Sequence, residues 1–254
     1  MSFFAFQRVA EGYARHRPYY HPLIMNMVRK QLGLKNKCTN ALDVGCGTGL
    51  SSIALKELAE NVVGIDGSKE MIAVANGHRD ETITYHHAPA EELPFDKGSF
   101  DLITVCGAIN WIDRTRFFPE AKRVLKKKGW VILYDNFITD HMRGNVAYTK
   151  WYQEKFLSRF PKPPRDETPL TRPECDGYGF KLYQKEYTNE LVWTQKEYID
   201  YMLTQSNVIV AVDMGTETLS EARMWLQTTL ASIVAEQEKA TFLFGGYVWY
   251  MQQT

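Results

Sequence analysis

Glycines at every second position, Gly45, Gly47 and Gly49, close the apolar run Ala41-Leu42-Asp43-Val44 and open a helical pattern, so a buried strand turns sharply into a helix there. Glycine tolerates left-handed dihedrals and puts no Cβ between main chain and ligand, so a ligand can lie against such a turn, facing the helix N-terminus. Asp66 ends the apolar stretch Asn61-Val62-Val63-Gly64-Ile65. A carboxylate only accepts hydrogen bonds, and on a rigid strand end it can take them from both hydroxyls of a ribose. Turn and carboxylate together read as a site for a nucleoside-bearing cofactor. A dinucleotide fingerprint would carry its third glycine five positions after the first, whereas here Gly49 comes one residue early and Leu50 holds that position.

The spacing Asp43-Val44-Gly45-Cys46-Gly47-Thr48-Gly49-Leu50 resembles motif I of the class I S-adenosylmethionine-dependent methyltransferases. The resemblance covers most of the chain, with specific motifs near the cofactor and loose ones elsewhere. It implies a Rossmann-like α/β fold: a seven-stranded, mostly parallel sheet with an antiparallel last strand, helices on both faces and a helical lid or insertion. It also implies S-adenosylmethionine as methyl donor, S-adenosylhomocysteine as product and no metal. The cofactor residues it implies are Asp43, Gly45, Cys46, Gly47 and Gly49 in the turn, then Asp66 and Gly67, with Met71 as an apolar cover on the adenine. Pro89-Ala90-Glu91-Glu92-Leu93-Pro94-Phe95 matches the family's D-A-E-x-L-P-F pattern except that Pro89 replaces its aspartate, leaving Ala90 and Glu91 to serve the adenine. Phe6 to Tyr20 is similar to an N-terminal motif of one small-molecule branch, in which Tyr13 and Arg17 would close over the cofactor. Cys106 ends the fourth strand, where ligands of open α/β sheets bind. Asn110 and Trp111 stand where methyltransferases of the trans-aconitate type carry a His-Trp-Phe-like element, and are the expected acceptor contacts.

A sulfonium carries an already activated methyl group, so the chemistry asks mainly for positioning. A carboxylate acceptor is ionised near neutral pH and needs no base. A phenol or amine would ask for deprotonation, for which Tyr13, His16 and Glu91 are the side chains on offer, and no catalytic residue is assigned. Arg15, Arg17, Arg143, Arg165 and Arg172 could clamp an anionic acceptor. Cys106 has no neighbouring His/Asp pattern, so it reads as a strand-end thiol. The six histidines, His16, His21, His78, His86, His87 and His141, form no ligand-type grouping, which disfavours a metal site.

The elements that must position these groups follow from periodicity. Strands are expected near 40–45, 61–66, 82–87, 100–106 and 129–135, with crossover helices near 49–59, 69–77 and 114–126. Lys126-Lys127-Lys128-Gly129 reads as the solvated C-terminal turn of the last of these helices. Ahead of them, residues 3–33, from Phe3 onward, suggest two helical pieces broken at Arg17-Pro18. A single methyltransferase domain over 1–254 would divide into a helical lid (1–33), a cofactor-binding core (34–136), an insertion over the acceptor site (137–177) and a C-terminal part completing sheet and pocket (178–254). In that last part, residues 178–192 look strand-like, Thr194 and Glu197 form a capping box, a helix fills 218–238 and an aromatic strand follows over 241–250.

Length and charge bound the remaining choices. A chain of 254 residues can bury a large core. Lys plus Arg and Asp plus Glu both total 30, so nothing draws it to nucleic acid, and a small-molecule acceptor is favoured. The four cysteines lack a C-x-x-C pair, Met1 to Arg8 lacks a signal-peptide layout and no apolar run could cross a membrane, which together suggest a cytoplasmic protein. Oligomeric state is not readable. Two other readings stay open: a nucleotide-dependent oxidoreductase on a Rossmann-like fold, and a non-catalytic S-adenosylmethionine-binding protein.

Overall fold

The computed structural model describes residues 6–235 and 238–254. Phe3, in the expected first helix, lies outside the described residues, and the helix expected over 218–238 ends at Leu230, with residues 231–234 in turns and bends and only 236 and 237 outside the described residues. In chain order the elements are α1 (Gln7–His16), α2 (His21–Leu32), β1 (Cys38–Val44), α3 (Leu50–Leu55), β2 (Ala59–Asp66), α4 (Lys69–Ala75), β3 (Ile83–His87), β4 (Phe100–Cys106), α5 (Arg114–Val124) and β5 (Leu125–Met142). There follow α6 (Val146–Lys150), a π-helical turn Trp151–Phe156, α7 (Leu157–Arg159), α8 (Arg172–Tyr178), β6 (Phe180–Thr194), α9 (Gln195–Met202), α10 (Ser206–Asp213), α11 (Leu219–Leu230) and β7 (Lys239–Gln253). None of the described helices is long and apolar enough to cross a membrane.

The chain forms two compact units. The first, which carries the glycine turn, comprises residues 19–135, 165–186 and 247–254. Its sheet runs in the order β3-β2-β1-β4-β5-β7-β6, parallel except for β7. The order reverses between β1 and β4, and the crevice at their carboxyl ends is where open α/β sheets bind ligands. β1 and β4 pair in parallel register, Ala41 with Leu102 through Val44 with Val105, and both are apolar and buried, as strands covered on two faces must be. Phe117, Phe118, Ala121 and Val124 present the apolar stripe of α5 to this core at zero exposure.

The crossovers differ from the sequence reading in two places. The helix expected over 49–59 is only α3, because Lys56, Glu57 and Leu58 donate to carbonyls three residues back, which tightens the chain into the start of β2. The three lysines do not end a helix. α5 stops at Val124 and the lysines lie in β5, where Lys126 Nζ reaches both carboxylate oxygens of Asp101 on β4 at 2.9 Å. Lys128 takes a φ of 63°, a left-handed bulge that accompanies a register shift between β4 and β5.

Among the described residues the second unit comprises 6–18, 136–164, 187–235 and 238–246. Thr139 Oγ1 donates to the Leu243 carbonyl at 2.7 Å, tying β5 to β7 there. Its core is aromatic: Tyr148, Trp151, Phe156, Phe160, Tyr198, Phe242 and Phe244 are buried together, with Tyr198 stacked on Phe242 at 4.0 Å between centroids. The capping box of Thr194 and Glu197 starts α9 as expected, and a like box of Thr218 and Glu221 starts α11.

Candidate functional site

The three glycines of the turn all take positive φ, 67° at Gly45, 53° at Gly47 and 92° at Gly49, and the surroundings of each differ. A methyl group on Gly45 would stand 2.5 Å from the Cβ of Ala108, so the turn after β1 lies hard against the segment after β4. One on Gly49 would stand 2.6 Å from the hydroxyl of Tyr85 on β3, which accounts for the early third glycine. One on Gly47 would meet nothing within 4 Å, and the same is true of Gly67 after β2. These two glycines leave open backbone that a ligand can approach.

Asp43 holds the turn from below. Its carboxylate is fully buried and accepts from Ser51 Oγ at 2.6 Å, Ser52 Oγ at 2.7 Å and Thr104 Oγ1 at 2.8 Å, linking β1, α3 and β4. Burial pushes its pKa up and the three hydroxyls oppose that shift. Asp43 therefore fixes the turn to α3 and β4. Asp66 sits higher, at the end of β2, half-buried: Oδ2 accepts from the Gly47 backbone N–H at 2.9 Å and Oδ1 from that of Ser68 at 2.8 Å. Burial raises its pKa too, against those two donors. Strand end, glycine turn and the start of α4 are thus joined through one carboxylate.

The other residues of this unit expected at the cofactor divide into core and rim. Cys46 and Met71 are buried, the latter at the start of α4 beneath the N-cap hydroxyl of Ser68. Ala90 is half-buried, and Glu91 Oε1 accepts from the Asp113 backbone N–H at 2.9 Å, so the Pro89-Ala90-Glu91 segment is tied to the N-terminus of α5. Asn110 and Trp111 are half-buried in the segment leading to α5, and the Asn110 carbonyl accepts from the Asp166 backbone N–H at 3.1 Å.

Cys106, at the end of β4, anchors a group that the sequence reading missed. Its Sγ lies 3.1 Å from the hydroxyl of Tyr20, and Tyr20 stacks on His21 with ring centroids 4.5 Å apart. His21 Nδ1 in turn meets the hydroxyl of the fully buried Tyr134 at 3.1 Å. Burial raises the pKa of Cys106 and of Tyr20, so both stay protonated at neutral pH. Burial lowers that of His21 from 6.5 to about 4. Between those values the unfolded chain holds a proton on His21 that the folded chain does not, so stability falls as pH drops through this window, by about 3 kcal/mol at most. Denaturant unfolding at pH 7 and pH 5 should show this loss in the wild type and a smaller one in His21→Asn. Equal slopes in the two proteins would remove His21 from the acid response.

Tyr13 and Arg17 belong to the second unit. There Arg17 Nη2 donates to the Tyr13 hydroxyl at 2.9 Å and to the Thr204 carbonyl at 2.6 Å, and its guanidinium lies 4.3 Å from the centroid of the Tyr13 ring. Of the other arginines considered as clamps, Arg143 is paired with Glu190 and Arg165 with Glu167. Among the described residues no group of three or more His, Cys, Asp and Glu could hold a metal ion.

Residues 42–133 match the family model described as a methyltransferase domain. The chain is 30% identical over 227 residues to an uncharacterized methyltransferase of Mycobacterium tuberculosis, covering 88% of this chain and 86% of the relative. It is 38% identical over 144 residues to a ubiquinone/menaquinone biosynthesis C-methyltransferase of a Geobacter species, covering 52% of this chain and 58% of that protein. In fold it is similar to a candidate type II methyltransferase of Anaeromyxobacter dehalogenans, with a TM-score of 0.71 at 21% identity over 93% of this chain and 97% of that one.

Proposed function

This chain belongs to the class I S-adenosylmethionine-dependent methyltransferases, and from that premise we propose that it transfers a methyl group to a small-molecule acceptor, through a cofactor site formed by Gly45, Cys46, Gly47, Gly49, Asp66, Gly67, Met71, Ala90, Glu91 and Cys106. The observation that carries the assignment is the open backbone at Gly47 and Gly67 on either side of the Asp66 carboxylate. A nucleoside fits this cradle, because a Cβ at either glycine would fill the space and an acceptor group stands between them.

S-adenosylmethionine, when bound, supplies a methyl group on a sulfonium. The protein's share is then to hold the acceptor atom in line and exclude water, which can supply about 7–11 kcal/mol. Asp66 orients the ribose, Gly47 lets the main chain approach, and Asp43 keeps the turn in register from beneath. A small organic acceptor is supported by the name of the Geobacter relative and by the balanced charge of this chain. The sequence reading left a carboxylate oxygen open as the methylated atom, a choice narrowed below. Tyr13 and Arg17 stay proposed cofactor-binding residues, on the N-terminal motif that carries them.

The test compares wild type with Asp66→Ala for S-adenosylhomocysteine affinity and for its release from S-adenosylmethionine across a panel of small acceptors. Wild type should turn over at least one acceptor. The variant should bind about 10- to 100-fold more weakly, since each hydrogen bond to a charged group is worth about 1.5–3 kcal/mol. Unchanged affinity would remove Asp66 from the site. Tight binding by wild type with no transfer to any acceptor would favour a non-catalytic binding protein.

A further inference from the structure

Beside the proposed cofactor cradle, at the point where β4 ends and β5 continues, stands a carboxylate that the assignment above does not use. The last β4–β5 pair is Cys106 with Tyr134, and the Gly107 backbone N–H donates to the Tyr134 carbonyl at 2.9 Å. Asp135 is the next residue of β5 and is half-buried. A methyl group on exposed Gly107 would stand 3.2 Å from Asp135 Oδ1 and 3.9 Å from Oδ2, so this carboxylate lies over the Gly107 Cα. Gly107 adjoins Ala108, whose Cβ abuts Gly45 of the glycine turn. Turn, Ala108, Gly107 and Asp135 form one continuous edge.

Two phenols share that edge. Tyr20, whose hydroxyl meets Cys106 Sγ, has its pKa raised first by burial and then by Cys106 and by the charge of Asp135. Tyr247 on β7 has its pKa raised by burial first and by Asp135 next. Both hydroxyls therefore lie within the field of this carboxylate and stay protonated, as donors.

We propose that Asp135 is the acceptor-recognition residue of the methyltransferase site, and that it selects an acceptor whose nucleophilic atom carries a hydrogen, a hydroxyl or an amine, over a carboxylate. The proposal rests on the methyltransferase reading. An acceptor O–H or N–H donates to Asp135 and is thereby oriented, while an acceptor carboxylate would face like charge. In the transfer, the bond between the methyl carbon and the sulfonium sulfur breaks, its electron pair stays on sulfur as a thioether, and a bond forms from the acceptor oxygen or nitrogen to that carbon. At a hydroxyl acceptor the hydrogen becomes strongly acidic as this bond forms and passes by way of the Asp135 carboxylate to water, whereas a neutral amine keeps its hydrogens and leaves as the methylated ammonium.

The experiment is calorimetric titration of the S-adenosylhomocysteine-saturated protein with three probes, catechol, aniline and benzoate, on wild type and Asp135→Asn. Wild type should bind catechol or aniline, both neutral donors at neutral pH, at least about tenfold more tightly than benzoate. Asp135→Asn, a change of nearly the same shape, should lose that preference while keeping S-adenosylhomocysteine affinity within about twofold, which certifies the fold and the cradle. Equal affinity for all three probes in wild type, no binding of any of them, or a preference that survives in Asp135→Asn would overturn the role of Asp135. Failure of wild type to bind S-adenosylhomocysteine at all would overturn the methyltransferase reading, and the proposal with it.

Discussion

Gly47→Val is expected to abolish measurable S-adenosylhomocysteine binding, a loss of roughly 1,000-fold or more, while the protein stays folded. The two halves of this expectation come from different observations. At a φ of 53° a β-branched residue is strained by about 1–3 kcal/mol, which a 254-residue chain can carry. A Cβ there meets no protein atom within 4 Å, so a side chain at this position starts in the open space beside Asp66. Gly47→Ala shares the strain and adds less bulk, so its affinity should fall between wild type and valine. Calorimetry on the three proteins, with a melting curve for each, separates strain from obstruction. If valine binds the cofactor normally, the ligand does not lie against this turn.

Asp43→Ala should have the largest effect on stability, a loss of about 3 kcal/mol and of about 6–12 °C in melting temperature. The carboxylate serves three buried hydroxyls, and its removal leaves Ser51, Ser52 and Thr104 without their acceptor. Loss of a buried charge offsets part of the cost, which is why the figure stays below the sum of three abandoned bonds. Because these hydroxyls join α3 and β4 to β1, the turn should loosen and cofactor affinity should fall along with stability. A melting temperature within about 2 °C of wild type would show that the three hydroxyls find other partners, and that Asp43 does not set the turn.

The strand, turn and helix that frame the proposed cofactor site were legible because their determinants are local. Strand, glycine turn and helix follow one another within Ala41 to Leu55, and Asp66 ends a strand whose pattern is plain. The proposed acceptor edge was not, because Cys106, Asp135 and Tyr247 come from three strands that only the sheet order brings together, and Tyr20 comes from the residue before α2. Ser206 to Asp213 carries no helix signal in the sequence, since Val208, Ile209, Val210 and Val212 are β-branched and disfavour helix. Tertiary burial of Val208 and Ile209 overrides that propensity. Lys126 to Lys128 misled for the opposite reason: a run of cations resembles a helix end, but the partner that fixes Lys126 is Asp101, on a neighbouring strand and 25 residues away.

The most direct measurement of the central claim is a calorimetric and thermal-shift comparison of S-adenosylmethionine, S-adenosylhomocysteine, NADH and NADPH on the wild-type protein. A ligand at one hundred times its dissociation constant stabilises the native state by about 2.7 kcal/mol, which raises the melting temperature of a chain this size by several degrees. Stabilisation by the two sulfur nucleosides and by neither nicotinamide is the expected result. Binding of a nicotinamide nucleotide in their place would contradict it and return the glycine turn to an oxidoreductase.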